Sequence, residues 1–156
     1  MNFESFEDIK VLMDNFDPAT LLPDLSTLVG TVAFLTRIAL LAGPIVLLVL
    51  GLAYFLAAPR EANYHFGYRC YFGMGSEEAW RFTQRLAGIV WAAIGAVLTL
   101  VMVLITGGFG DRDVMQIIST GITCLLWEIG LAFVSSLIIN LVVMIRFDRR
   151  GDRRGM

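Results

Sequence analysis

Charge is scarce in this sequence: Asp, Glu, Lys and Arg make up 17% of 156 residues, against about 25% in an ordinary soluble domain. The net charge of −2 excludes nucleic-acid binding driven by bulk basic charge. Two cysteines, Cys70 and Cys124, make no disulfide framework. The single histidine, His65, has no second ligand at metal-binding spacing, so no metal site is expected. There is no nucleophile–base pair and no phosphate-cradling glycine motif, so an enzyme is not expected and no cofactor is implied. What the chain has in excess is apolar residues, at 57%, and its mean hydropathy is +0.72. That much apolar surface rules out disorder and leaves a membrane protein or a very apolar globule.

The distribution decides between these. Ile38 to Ala58 and Leu86 to Ile105 are uncharged runs of 21 and 20 residues, and Val114 to Ile145 is interrupted only by Glu128. About 20 apolar residues at about 1.5 Å each match a hydrocarbon core about 30 Å thick. The expected fold is therefore all-α, with three transmembrane helices at about 37–58, 77–105 and 114–145 inside a membrane domain spanning 27–145. Residues 1–26 carry Phe3, Phe6, Ile9, Leu12 or Met13, and Phe16 at helical spacing, which reads as an amphipathic segment on the extracytoplasmic side. Orientation follows from the basic residues. Arg60, Arg69, Arg81 and Arg85 lie in the first loop, and Arg146, Arg149, Arg150, Arg153 and Arg154 begin or follow the tail. Only Lys10 and Arg112 lie on the opposite side, with Arg37 at the border of helix one. The N-terminus is thus expected outside, with the first loop and the tail at 146–156 in the cytoplasm, where the tail frays near anionic head groups.

The first loop is the most specific part of the chain. Ser76 reads as a helix N-cap, with Glu77 and Glu78 in the first turn, where the helix dipole favours negative charge. A helix then runs unbroken into the membrane, placing Trp80 at interfacial depth and letting Arg81 and Arg85 snorkel outward. Before it, Gly67, Gly73 and Gly75 punctuate a stretch dense in Tyr64, Phe66, Tyr68, Tyr71 and Phe72, which reads as an ordered, membrane-hugging loop. Asn63 suits a turn and Gly67 an unusual backbone angle. Arg69 either grips a carboxylate or phosphate of a partner or pairs within the loop with Glu77 or Glu78.

Asn63, Gly67, Arg69, Glu77, Glu78, Trp80, Arg85 and Gly88 occur in this order and spacing, and in this the loop resembles the SdpI family of small bacterial integral-membrane immunity proteins. The resemblance covers about residues 40–105. Three positions depart from the family pattern: Ala62 replaces a proline, Cys70-Tyr71 replace Thr-Pro, and Gln84 replaces an asparagine. The resemblance implies an immunity or sensor protein of the bacterial cell membrane, non-enzymatic, that binds a peptide or protein toxin or a cytoplasmic regulator and protects the producing cell. The eight motif residues are then candidate binding residues.

Two charges inside the apolar runs stand apart. Counting from the cytoplasmic ends puts Arg37 and Glu128 at matching depth, which suggests an intramembrane pair or a shared polar cavity, since such charges are costly alone. The alternative function built on them is a small transporter or accessory membrane subunit. Gly88, Ala92 and Ala96, with Gly95 adjacent, suit close helix packing within the chain or self-association into a homo-oligomer. Gly43-Pro44 suggests a kink, and Asn140 an interhelical hydrogen bond. Cys70 is expected reduced and Cys124 packed, neither catalytic.

Overall fold

The structure is a computed structural model, and it describes residues 25–62 and 65–154. Residues 1–24, which hold most of the expected amphipathic segment, and Asn63 of the motif lie outside the described residues.

Three helices are long and apolar enough to cross a membrane: α1 at Leu25–Leu56, α2 at Glu77–Gly107 and α3 at Val114–Arg146. The protein is an all-α, multi-pass membrane protein. Short 3-10 turns at Phe72–Met74 and Gly108–Asp111 lead into α2 and toward α3. Each helix exceeds the run of about 20 residues that spans a bilayer, so each projects beyond the hydrocarbon or tilts within it.

α1 begins at Leu25, well ahead of the expected start near residue 37. Leu, Val, Ala and Thr carry the helix through Arg37, because a charge marks a change of solvent and does not break hydrogen bonding. The helix also continues through Pro44, which is buried. α2 starts at Glu77, directly after Ser76, and α3 at Val114, directly after Asp113.

α1 and α2 form the main helix pair, running antiparallel. A Cβ built on Gly88 would lie 2.7 Å from the Phe55 nitrogen, and one on Gly95 2.8 Å from Leu48 Cα. Gly51 in turn faces the backbone of Ala92. In lipid there is little hydrophobic drive between helices, so such close backbone approach is what gains dispersion energy. Gly88, Ala92 and Gly95 are thereby used within the chain, whereas Ala96 is exposed. α3 runs parallel to α1: Gly121 meets Thr36, and seven residues further along both helices the Glu128 carboxylate meets Gly43. Two clusters close the ends of the bundle. Leu40, Leu98, Met102, Phe109 and Ile117 sit near the α2–α3 turn, and Tyr68, Ala87, Ile139, Val143 and Phe147 sit at the loop end.

Candidate functional site: the loop between α1 and α2

The loop is built from the N-terminus of α2. Ser76 Oγ accepts the Ala79 N–H at 3.1 Å, as a helix cap, and Glu77 and Glu78 occupy the first turn. One turn on, Trp80 and Gln84 turn back to hold the loop. Trp80 is wholly buried and its Nε1 donates to the Pro59 carbonyl at 2.8 Å. This corrects the expectation of an interfacial anchor: the indole staples the loop's start to α2. Gly67 lies against the same ring with φ +119°, and a Cβ there would come within 2.7 Å of Trp80 Cζ2. The glycine is required twice, by the backbone angle and by the indole.

Gln84 clamps the loop backbone. Its Oε1 accepts the Tyr68 N–H at 2.8 Å, and its Nε2 donates to the Tyr68 carbonyl at 2.7 Å. The sequence offered Gln84 only as a departure from a pattern. A buried side chain amide with both partners satisfied on one residue is a specific fixture. Tyr68 then bridges to the rest of the bundle. Its ring meets Trp91 edge-on at 5.2 Å, and its hydroxyl lies 3.1 Å from both the Ser136 carbonyl and Asn140 Oδ1. Asn140 Oδ1 is thus one of two acceptors for the Tyr68 hydroxyl, so that among the described residues its partner is the loop and not the second helix that was expected. Burial pushes the Tyr68 phenol above its usual range, and burial likewise pushes the Cys70 thiol up, leaving it a poor nucleophile.

The C-terminal segment packs on the same cap. Through Arg154 it does not fray: Phe147 is buried, its backbone bridges to Arg153, and Asp148 Oδ1 accepts the N–H groups of Arg150 and Asp152. These bonds hold the Asp148 carboxyl below the usual carboxylate range, the Asp152 N–H contributing most. Ser76 Oγ donates to the Gly151 carbonyl at 2.8 Å, and Arg153 pairs with Glu78. Gly151 sits at φ +81° where the hairpin touches Gly75 and Ser76. The apolar anchor Phe147 and the turn-forming Asp148 outweigh the solubility of five arginines.

Of the motif residues, Gly67, Trp80 and Gly88 are thus packing positions, and Glu77 and Glu78 are engaged with Arg81 and Arg153. Arg69 and Arg85 remain exposed, and neither forms an ion pair among the described residues. Arg69 borders a groove of about 520 Å³ lined by Cys70, Tyr71, Phe72, Leu137, Asn140 and Met144. The expected pairing of Arg69 with Glu77 or Glu78 does not form, because both carboxylates have nearer guanidinium partners.

Arg37 and Glu128 are not brought together. Arg37 Nη2 donates to the Thr106 carbonyl at 2.8 Å, following the same antiparallel register that sets Gly51 against Ala92. Glu128 meets Gly43 instead, six residues or about 9 Å deeper along α1 than Arg37. Its Oε2 would lie 2.9 Å from a Cβ at Gly43, while its Oε1 is buried with no hydrogen-bond partner among the described residues. The depth count failed because it took the loop-side end of α1 and the tail-side end of α3 as level, whereas with Glu128 opposite Gly43 the end of α3 at Arg146 runs about five residues past the level of Leu56, where α1 ends.

No group of three or more metal-ligating side chains occurs among the described residues. No curated protein and no solved structure matches the chain. A family model does match, over residues 60–145, which is more than half of the sequence. The match starts later than the resemblance carried by the loop motif and extends through α3, taking in the loop, the α1–α2 contact glycines on α2, and the helix that accepts Tyr68. On that match, and on the three membrane-length helices that frame the stapled loop, the chain belongs to the SdpI/YfhL protein family.

Proposed function

We propose that this protein is a non-enzymatic membrane immunity or sensor protein that protects the cell producing it. It binds a peptide or protein toxin, or a cytoplasmic regulator, through the loop between α1 and α2. Arg69 carries this reading. Its guanidinium is exposed and without a carboxylate partner among the described residues, beside a groove with apolar walls, while the motif around it is committed to packing. A planar fork of donors next to apolar surface suits a carboxylate-bearing, partly hydrophobic partner.

Membrane placement supports two contact faces. With nine of the twelve basic residues in the loop and tail, those segments face the cytoplasm and the N-terminus faces outside, in the cell membrane of a bacterium. A regulator meets the Arg69 groove directly. A toxin arriving from outside meets the opposite end, where Arg37 holds Thr106.

The test is protection. Expressed with the toxin encoded beside it, the protein should rescue a sensitive cell, and Arg69→Ala should remove rescue without lowering the amount of protein in the membrane. Rescue that survives Arg69→Ala overturns the role of the groove.

One observation favours a second reading, a small transporter or accessory membrane subunit. The buried Glu128 carboxyl, with Oε1 unpartnered among the described residues, is a polar group in a segment where such groups are costly. This reading gains ground over the first if no neighbouring toxin is countered and a solute flux is lost in Glu128→Gln.

A further inference from the structure

Arg85 and Arg146 stand on neighbouring helices where apolar chain gives way to polar chain. Arg85 directly precedes the uncharged run that starts at Leu86, and Arg146 is the last residue of α3. Both line one groove of about 510 Å³, which also holds the Glu77–Arg81 and Glu78–Arg153 ion pairs. Four guanidiniums against two carboxylates leave the groove with two positive charges in excess. The glutamates are already engaged, so the excess falls on Arg85 and Arg146, which pair with no carboxylate among the described residues.

Arg146 is held in place without being neutralised: its guanidinium lies 4.4 Å from the centre of the Phe82 ring, a cation–π distance. Phe82 rests in turn against Phe147, at 5.6 Å between ring centres, so one wall of the groove is fixed by the tail hairpin. One helical turn deeper on the same faces lie Ile89, which is exposed, and the half-buried Val142. The groove is therefore cationic at the level where the spans end and apolar just below.

A basic groove in water attracts any anion, but depth narrows the choice here. Lipid phosphates are the anions concentrated at this level, and a guanidinium fork matches two phosphate oxygens. We infer that the groove is a binding site for the phosphate of an anionic phospholipid, held between Arg85 and Arg146 with its acyl chains along the α2–α3 seam. The groove shares no lining residue with the Arg69 groove, so this site stands or falls apart from the proposed function.

Native mass spectrometry of the full-length protein released from detergent micelles tests it, with phosphatidylglycerol and phosphatidylcholine of identical acyl chains as probes. The protein should retain one phosphatidylglycerol in preference to phosphatidylcholine. Arg85→Gln with Arg146→Gln should weaken that retention on the order of tenfold. Arg149→Gln with Arg150→Gln removes the same charge from exposed positions outside the groove and should leave retention unchanged. Arg85→Lys with Arg146→Lys keeps the charge, should give a smaller loss, and decides the matter if the glutamine pair fails to fold. Equal retention of the two lipids, or an equal loss in the Arg149/Arg150 variant, overturns the site. Displacement of the lipid by millimolar inorganic phosphate as readily as by more phosphatidylglycerol also overturns it, in favour of a free-phosphate site.

Discussion

At the scale of single residues, Gly67 concentrates the constraints on the loop. Its φ of +119° is unfavourable for any L side chain, and the space a Cβ needs is occupied by the indole of Trp80. Gly67→Ala should therefore destabilise the protein by about 1–3 kcal/mol, through backbone strain and displacement of the indole from Pro59. The check is the thermal unfolding midpoint of the purified protein in detergent, with Gly107→Ala for comparison, since a Cβ at Gly107 meets nothing within 4 Å. Equal midpoints for the two variants would show that the loop carries no such strain. The backbone angle at Gly67 and the helix cap at Ser76 were legible because each is settled within three residues, whereas the indole against Gly67 and the tail seated on Ser76 were not. Arg37 and Glu128 were not. Which level of α1 meets which level of α3 depends on where small residues let backbones close, and no count from a charged terminus contains that register. Trp80 was misjudged for a related reason. An indole beside a membrane-entering helix fits an interfacial belt or a buried staple equally well, and only the fold of the preceding loop decides.

At the scale of elements, the C-terminal hairpin and the start of α2 share one hydroxyl. Ser76 Oγ accepts from Ala79 N and donates to the Gly151 carbonyl, so the helix cap is also the seat of the tail. Ser76→Ala should cost about 1 kcal/mol for the cap alone. It should also loosen the hairpin, seen as faster tryptic cleavage after Arg149 and Arg150 while cleavage after Arg112 is unchanged. A tail no more sensitive than in the parent protein would mean that Phe147 and the Glu78–Arg153 pair suffice to seat it. The tail reads as solvated from composition because five of its residues are arginine. Its order rests on features with little sequence signal. Phe147 fills a gap beside Phe82, and Asp148 closes a turn by accepting backbone N–H groups two and four residues on. The three membrane helices were plain from the sequence because long uncharged runs are read directly along the chain, with no knowledge of packing. The α1 start at Leu25 was hidden because the chain changes its solvent, and not its backbone geometry, near Arg37.

At the scale of the whole molecule, the two ends of the bundle differ in kind. The end bearing the α1–α2 loop and the tail gathers the Arg69 groove, the Arg85–Arg146 groove and nine of the twelve basic residues. The other end is closed by the short 3-10 turn at Gly108–Asp111, with Phe109 buried under it and Arg37 bound to Thr106. A positive end is retained on the cytoplasmic side during insertion, so the groove-bearing end should lie inside. Labelling of single cysteines with a membrane-impermeant maleimide on intact cells decides this, in a background with Cys70→Ala and Cys124→Ala. Asp111→Cys, exposed in the short turn, should label without permeabilisation, and Arg150→Cys, exposed on the hairpin, only after it. The reverse pattern would place both grooves outside. The Arg69 groove would then meet a toxin directly, a cytoplasmic regulator would be excluded as its partner, and the lipid bound between Arg85 and Arg146 would come from the outer leaflet. Orientation therefore fixes which partner each groove can reach, and it does so independently of whether either groove binds at all.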